Sequence, residues 1–301
     1  MSEPLKDTYT FLTGAANDKE FVVVASVVDE LGDRSPAQLY LWLGDDWYDV
    51  DTYGWSTAGV CVVKQEKPTI VCVSNTGDVA TAATGGIRGE ERIGEGSETP
   101  RQLGRIRSVR AIGGLAHAAG MGRQVYRREA TGDWRAIDSG ARRQQKDGKV
   151  VGFEGIDGFA ADDIYAAGWN GEIWHYDGQS WRQIDSPTDQ ILSNLVCGGD
   201  GYVYACGRRG LLLCGRGDEW RVIRQESTIE DIWGLAWFND SLYLSTMRAV
   251  YRLNDDVLEL VDFGDDLPAT CYHLATGGGV LCSIGEKDVM VFDGQQWERL
   301  D

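Results

Sequence analysis

The hydrophobic positions of this chain fall in short runs broken by Gly- and Asp-rich connectors, and the runs come in fours. The clearest set reads VGFEGIDGF (151–159), DIYAAGW (163–169), GEIWHYDG (171–178) and SWRQID (180–185). NLVCGGD, YVYACGR, LLLCGRG and EWRVIR repeat it, as do SVRAIGG, LAHAAGM, QVYRREATG and DWRAID upstream. CYHLATG, GVLCSIG, VMVFDG and QWERLD close the chain in the same order. Connectors of the form G-x-x-G or D-G are hairpin turns, because Gly and Asp tolerate the positive φ that tight turns demand. Each set therefore predicts four short antiparallel strands.

One motif marks the fourth strand of each set: an aromatic, two variable residues, an aliphatic, and usually Asp. It appears as WYDVD (47–51), WRAID (134–138), WRQID (181–185), WRVIR (220–224) and WERLD (297–301), with LELVD (258–262) as a variant. From Trp134 onward the motif recurs after 47, 39, 38 and 39 residues, while Trp47 and Trp134 are 87 apart, or two periods. EERIG (90–94) supplies the missing unit, with Ile93 at the aliphatic place, which makes seven. A four-stranded meander of this length cannot bury both faces alone, whereas packing the sheets around an axis does so and leaves few open edges. A stacked solenoid would show atypical end units; here the first and last motifs are among the most regular. The expectation is one all-β domain over 1–301, a seven-bladed β-propeller with four antiparallel strands per blade. The blades span about 6–51, 55–95, 105–138, 150–185, 191–224, 229–262 and 269–301. Both terminal units are complete, so the ring is expected to close without strand exchange between the termini.

The run DIYAAGWNGEIWHYDGQSWRQID (163–185) resembles a bacterial propeller repeat of general form VyAvGxxGxIxxydGxxW, well over the last five units and weakly over the first two. The Gly-His and Trp-Asp dipeptides of WD40 repeats are missing, and no kelch pattern is present. The resemblance implies the propeller and nothing about function, since propellers host binders and enzymes alike.

Charge changes the picture next. The formal net charge is −18 with a pI near 4.6, which repels phosphate backbones and argues against nucleic-acid binding. Between Arg101 and Lys149, however, twelve Lys and Arg face only four Asp and Glu. That island reads either as solvated blade edges or as a docking patch. The N-terminal segment has no basic start followed by an apolar run, and no stretch is long and apolar enough to cross a bilayer. With seven cysteines and no CxxC spacing, the expectation is a cytoplasmic chain with free, buried thiols.

Candidate chemistry is sparse. His117, His175 and His273 lie in separate units without metal-ligand spacing, and neither a cofactor nor a metal is expected. The repeat tryptophans (Trp47, Trp134, Trp181, Trp220, Trp297) read as packing between blades. Asp45/Asp46, Asp162/Asp163, Asp255/Asp256 and Asp265/Asp266 sit at turn tips, where adjacent carboxylates satisfy turn backbone rather than face each other across a substrate. No nucleophile elbow or phosphate loop is present, so the reading is a non-enzyme. One face of the disc is formed by turns between second and third strands and by links between blades. It carries the candidate partner-binding residues Arg123, Trp169, Asn170, Arg208, Arg209, Met247, Arg248, Lys287, Tyr53 and Trp55, with Arg34 beside them; such residue types supply interface hot spots. The expected partner is another protein, engaged by a chain that is a monomer on its own. The profile suits an immunity protein that blocks a toxin by direct contact, the acidic surface attracting a basic, nucleic-acid-attacking one. A glycan-binding or glycan-cleaving propeller and a scaffold subunit are the alternatives.

Overall fold

The computed structural model describes residues 5–34, 36–64, 67–83, 85–96, 99–143 and 148–301, without the side chains of residues 33 and 34. It contains seven four-stranded antiparallel sheets, each made of four consecutive strands. Blade 1 runs from Tyr9 to Tyr53, blade 2 from Thr57 to Arg92, blade 3 from Ile106 to Ala136 and blade 4 from Phe153 to Ile184. Blades 5, 6 and 7 span Leu192–Val222, Gly234–Leu260 and His273–Arg299. The seven-bladed propeller and its closure without strand exchange are as expected from the repeat.

Each junction between neighbouring blades has its own apolar core. Blades 1 and 2 share Val23, Leu39, Ile70 and Cys72, while blades 3 and 4 share Ile112, Val125, Phe153 and Trp174. The ring closes through Phe11, Val22 and Val24 of blade 1 packed on Cys282, Ile284 and Val291 of blade 7. Polar fasteners reinforce that seam, including Phe11 N–H to the Glu286 carbonyl (2.9 Å) and a Lys6–Asp301 ion pair (3.1 Å).

The repeat motif explains its own conservation along the chain in physical terms. Its aliphatic residue is buried in six of the seven units, Ile93 among them, which is wholly inaccessible. Blade 2 is therefore regular despite Glu90 at its aromatic place. Where Trp is present, its indole reaches the preceding blade: Trp181 Nε1–H donates to the Ile137 carbonyl (2.8 Å) and Trp47 Nε1–H to the Leu300 carbonyl (2.6 Å). Trp134 Nε1–H donates instead to Glu91 (2.9 Å). These tryptophans pack and pin blades together, as read from the motif.

Two faces result. The hairpins within strand pairs one–two and three–four form one; the second-to-third-strand turns and the blade links form the other, called here the turn face. The first strands of all blades line a central channel of about 930 Å³.

Candidate functional site: the turn face and the channel mouth

The turn face is built on a repeated tight turn in blades 3, 4 and 5. Asn170 (φ 59°) and Arg209 (φ 55°) occupy the left-handed region, each followed by Gly171 or Gly210, also left-handed. In blade 3 the order is Gly122 then Arg123 (φ 58°), so Arg123 sits where the next two blades hold glycine. A side chain larger than Asn in this region is disfavoured, and the two arginines meet the difficulty differently.

Arg123 forms a bidentate pair with Glu172 of blade 4 (2.6 and 2.7 Å) and lies over the Trp174 ring at 5.0 Å. It is a strut between blades. Tyr53 is buried and stacked on Trp55 (5.0 Å between rings), and burial pushes its phenol up to about 12. Lys287 donates from Nζ to the carbonyls of Lys6 (2.9 Å) and Tyr9 (2.8 Å) and pairs with Asp29, fastening the N-terminal segment to blade 7. Trp55 and Met247 are half-buried. Arg248 is largely exposed, with Glu230 at 3.9 Å. Arg34's side chain and Lys146 lie outside the described residues.

Trp169, Asn170, Arg208 and Arg209 remain at the surface, in two adjacent blades. Asn170 is exposed and donates to the Val150 carbonyl (3.0 Å). Trp169 leans toward the channel, where its Nε1–H donates to Glu154 Oε1 (2.6 Å). Glu154 also accepts from Arg107 Nε (2.8 Å), so one carboxylate ties blades 3 and 4 together at the mouth. Arg208 lines the same mouth, as do Arg105, Trp233 and Tyr272. Trp233 and Tyr272 face each other at 5.6 Å on the far side, and burial raises the Tyr272 phenol. Deeper in the channel Arg110 pairs with Asp157 (3.3 Å), whose charge raises the guanidinium further.

The basic island is thus mostly consumed within the ring. Arg101, Arg107, Arg110, Arg123, Arg127, Arg128 and Arg142 all pair with carboxylates. The deepest pair is Arg128 with Glu91 of blade 2 (2.6 Å), both almost inaccessible. Burial pushes the Glu91 carboxyl upward, and the Arg128 and Trp134 hydrogen bonds outweigh it, leaving a net lowering.

The histidines sit apart. His175 meets Asp163 (2.9 Å) on the opposite face, His273 meets the Gly14 carbonyl (3.1 Å), and His117 is fully buried. All seven cysteines are free thiols; Cys61, Cys72, Cys206 and Cys282 are buried in blade junctions and pushed up to about 12 by burial. Among the described residues no group of three His, Cys, Asp or Glu is placed to hold a metal. What the turn face offers is charge and aromatic surface, the chemistry of binding.

The chain is 43% identical to the immune protein Tsi7 of Pseudomonas aeruginosa over 307 residues, covering all of both chains. It belongs to the Tsi7 family. No protein-family profile matches it. Among solved structures it resembles YCF48 bound to D1 peptide (TM-score 0.64, 14% identity, 93% of this chain and 90% of that one). The WD40 propeller of Doa1 (TM-score 0.67, 14% identity, 97% and 92%) is similar too. At such identity these likenesses show the fold alone.

In this Tsi7-family propeller, reasoning from the repeat found the turns but missed the mouth. Arg105, Arg107, Glu154 and Tyr272 lie on or beside first strands, which the repeat marks as interior. The available signal was a pair of charged residues, Glu154 and Asp157, in the otherwise apolar first run of blade 4.

Proposed function

We propose that this chain is an immunity protein that neutralises a cognate toxin by direct, non-catalytic contact. The observation that carries the reading is the full-length 43% identity to the immune protein Tsi7. The geometry supports it: the turn face presents exposed Arg and half-buried Trp, residue types that anchor protein interfaces. We further read the chain as a cytoplasmic monomer and its partner as a basic, nucleic-acid-attacking toxin, which a surface of net charge −18 would draw in at long range. The repeat itself we assign to the bacterial type quoted above, on the run 163–185.

The test is to mix the purified chain with the toxin encoded beside its gene. The expected result is a stable stoichiometric complex in which the toxin is inactive but chemically intact, with an association rate that falls as salt rises. A chain that forms no complex at any salt concentration, or that modifies the toxin covalently, refutes this reading.

A further inference from the structure

The anions and cations that line the central channel do not match in number. Among the described residues three carboxylates reach it, and each is already held. Glu154 is taken by Arg107 and the Trp169 indole, and Asp157 by Arg110 and the Cys197 backbone N–H (2.9 Å). Asp231 accepts the Arg209 backbone N–H (2.9 Å). Among the described residues four arginines reach the channel: Arg105, Arg107, Arg110 and Arg208. Arg107 and Arg110 are the ones paired. Arg105 and Arg208 are exposed, and among the described residues neither has a carboxylate or carbonyl acceptor.

Two unpaired guanidiniums in one concavity are out of character for this molecule, which carries 47 acidic residues against 29 basic ones and pairs most of its blade 3 arginines. Their setting is rigid. Arg105 enters the first strand of blade 3, its carbonyl fixed by the Met121 N–H (2.9 Å). Arg208 opens the tight turn of blade 5, its carbonyl fixed by the Leu211 N–H (3.1 Å). Between them stands blade 4 with the Arg107–Glu154–Trp169 clamp, and opposite lie the Trp233 and Tyr272 rings. A guanidinium is a planar fork with five donors, matched to the two oxygens of a carboxylate, and a partly desolvated mouth strengthens such a bond.

We propose that the channel mouth is a carboxylate-binding site that receives an acidic side chain of the partner toxin, gripped by Arg105 and Arg208 and flanked by Trp169 and Tyr272. This rests on the immunity reading and sharpens it. The overall negative charge attracts a basic partner from a distance, whereas the mouth accepts one acidic group from it. Only a partner that places a carboxylate over the channel satisfies both, which fixes docking register and excludes basic proteins that lack it.

The experiment is titration calorimetry of the co-encoded toxin against wild type, Arg105→Gln, Arg208→Gln and the double variant, with thermal unfolding measured in parallel. Neither arginine has an intramolecular acceptor among the described residues, so melting temperatures are expected to stay within about a degree of wild type. Affinity is expected to fall at least about tenfold in each single variant, mostly through faster dissociation. Asp→Asn and Glu→Gln variants of the toxin then locate the partner group. The right one loses affinity against wild type and loses little more against the double variant, because the interaction is already gone. If the double variant binds as tightly as wild type, or no toxin carboxylate couples to it, the mouth is not the site and the immunity reading stands. If wild type itself fails to bind, both fall.

Discussion

Blades 3 and 6 have opposite charge and use it in opposite ways. The stretch 101–149 around blade 3 has twelve basic and four acidic residues, a net of +8, and 222–267 around blade 6 has three basic and ten acidic, a net of −7. Around blade 3 the cations turn inward or sideways: Arg128 reaches Glu91 in blade 2, and Arg107, Arg110 and Arg123 reach Glu154, Asp157 and Glu172 in blade 4. Around blade 6 only Glu230, Asp256 and Asp266 have a basic partner among the described residues. The same region leaves Ile229, Leu260 and Leu267 more than two-thirds exposed. A strongly charged segment is therefore no guide to a charged surface. In a ring the neighbouring blades can absorb the charge, and blade 3 is strongly positive in sequence but loses most of that excess in place.

The largest test of that contrast is to remove one half of the Arg128–Glu91 pair. Arg128→Ala leaves Glu91 buried without its cation, held by the Trp134 indole and the Gly132 backbone, and a buried pair broken on one side costs about 3–5 kcal/mol. Chemical denaturation should show that loss. Asp265→Asn and Glu226→Gln near blade 6, at groups without ion pairs among the described residues, should change stability by less than about 0.5 kcal/mol. Equal effects at the two sites would erase the distinction between spent and free charge.

That distinction also explains what could be read from residues alone. The blade count, strand order and packing role of Trp47, Trp134 and Trp181 follow from a periodic pattern, because each unit meets the same neighbours. Glu90 and Ile93 show why blade 2 was the hardest unit to find: burial keeps the aliphatic place, while the aromatic place lies at the rim and tolerates change. Ion pairs between blades have no period. Nothing in GMGRQ says that Arg123 meets Glu172 forty-nine residues on, and nothing in IGEKD says that Lys287 caps the N-terminal segment. Those two, with buried Tyr53, look in sequence like Arg208 and Trp169. Only the ring separates struts from free groups.

A second test uses acid. His117 lies in blade 3 opposite Arg110 and Arg127 on the adjacent strands. Its Nδ1–H donates to the Leu115 carbonyl (3.0 Å), and Nε2 is buried without a partner among the described residues. Burial, with help from the Arg127 charge, lowers its pKa from 6.5 to about 4. The folded state thus binds this proton less readily than the unfolded chain, so stability is complete above the unfolded pKa and declines as pH falls from about 6.5 toward 4. The loss at the acid end is roughly 3 kcal/mol, at 1.36 kcal/mol per unit. Denaturation midpoints across this window should fall for wild type and fall less for His117→Leu, whose side chain has nothing to protonate. An identical slope in the two proteins would show that other groups, His273 first, dominate the acid limb.

The smallest effect separates the two left-handed arginines. Arg123 and Arg209 sit at neighbouring places in equivalent turns with nearly the same φ, yet one side chain pairs with Glu172 and the other has no partner among the described residues. Left-handed backbone costs a side-chain-bearing residue about 1–2 kcal/mol, and glycine there is penalised by about 0.5–1 kcal/mol through its freer unfolded chain. Arg209→Gly should therefore raise stability by about 0.5 kcal/mol, a gain visible in a careful denaturant titration. Arg123→Gly removes the same strain but leaves the nearly buried Glu172 with only the Trp174 indole (3.1 Å), so it should destabilise. If both variants shift in the same direction, backbone geometry outweighs pairing in these turns, and Arg123 is not the strut between blades 3 and 4 that its bidentate contact indicates.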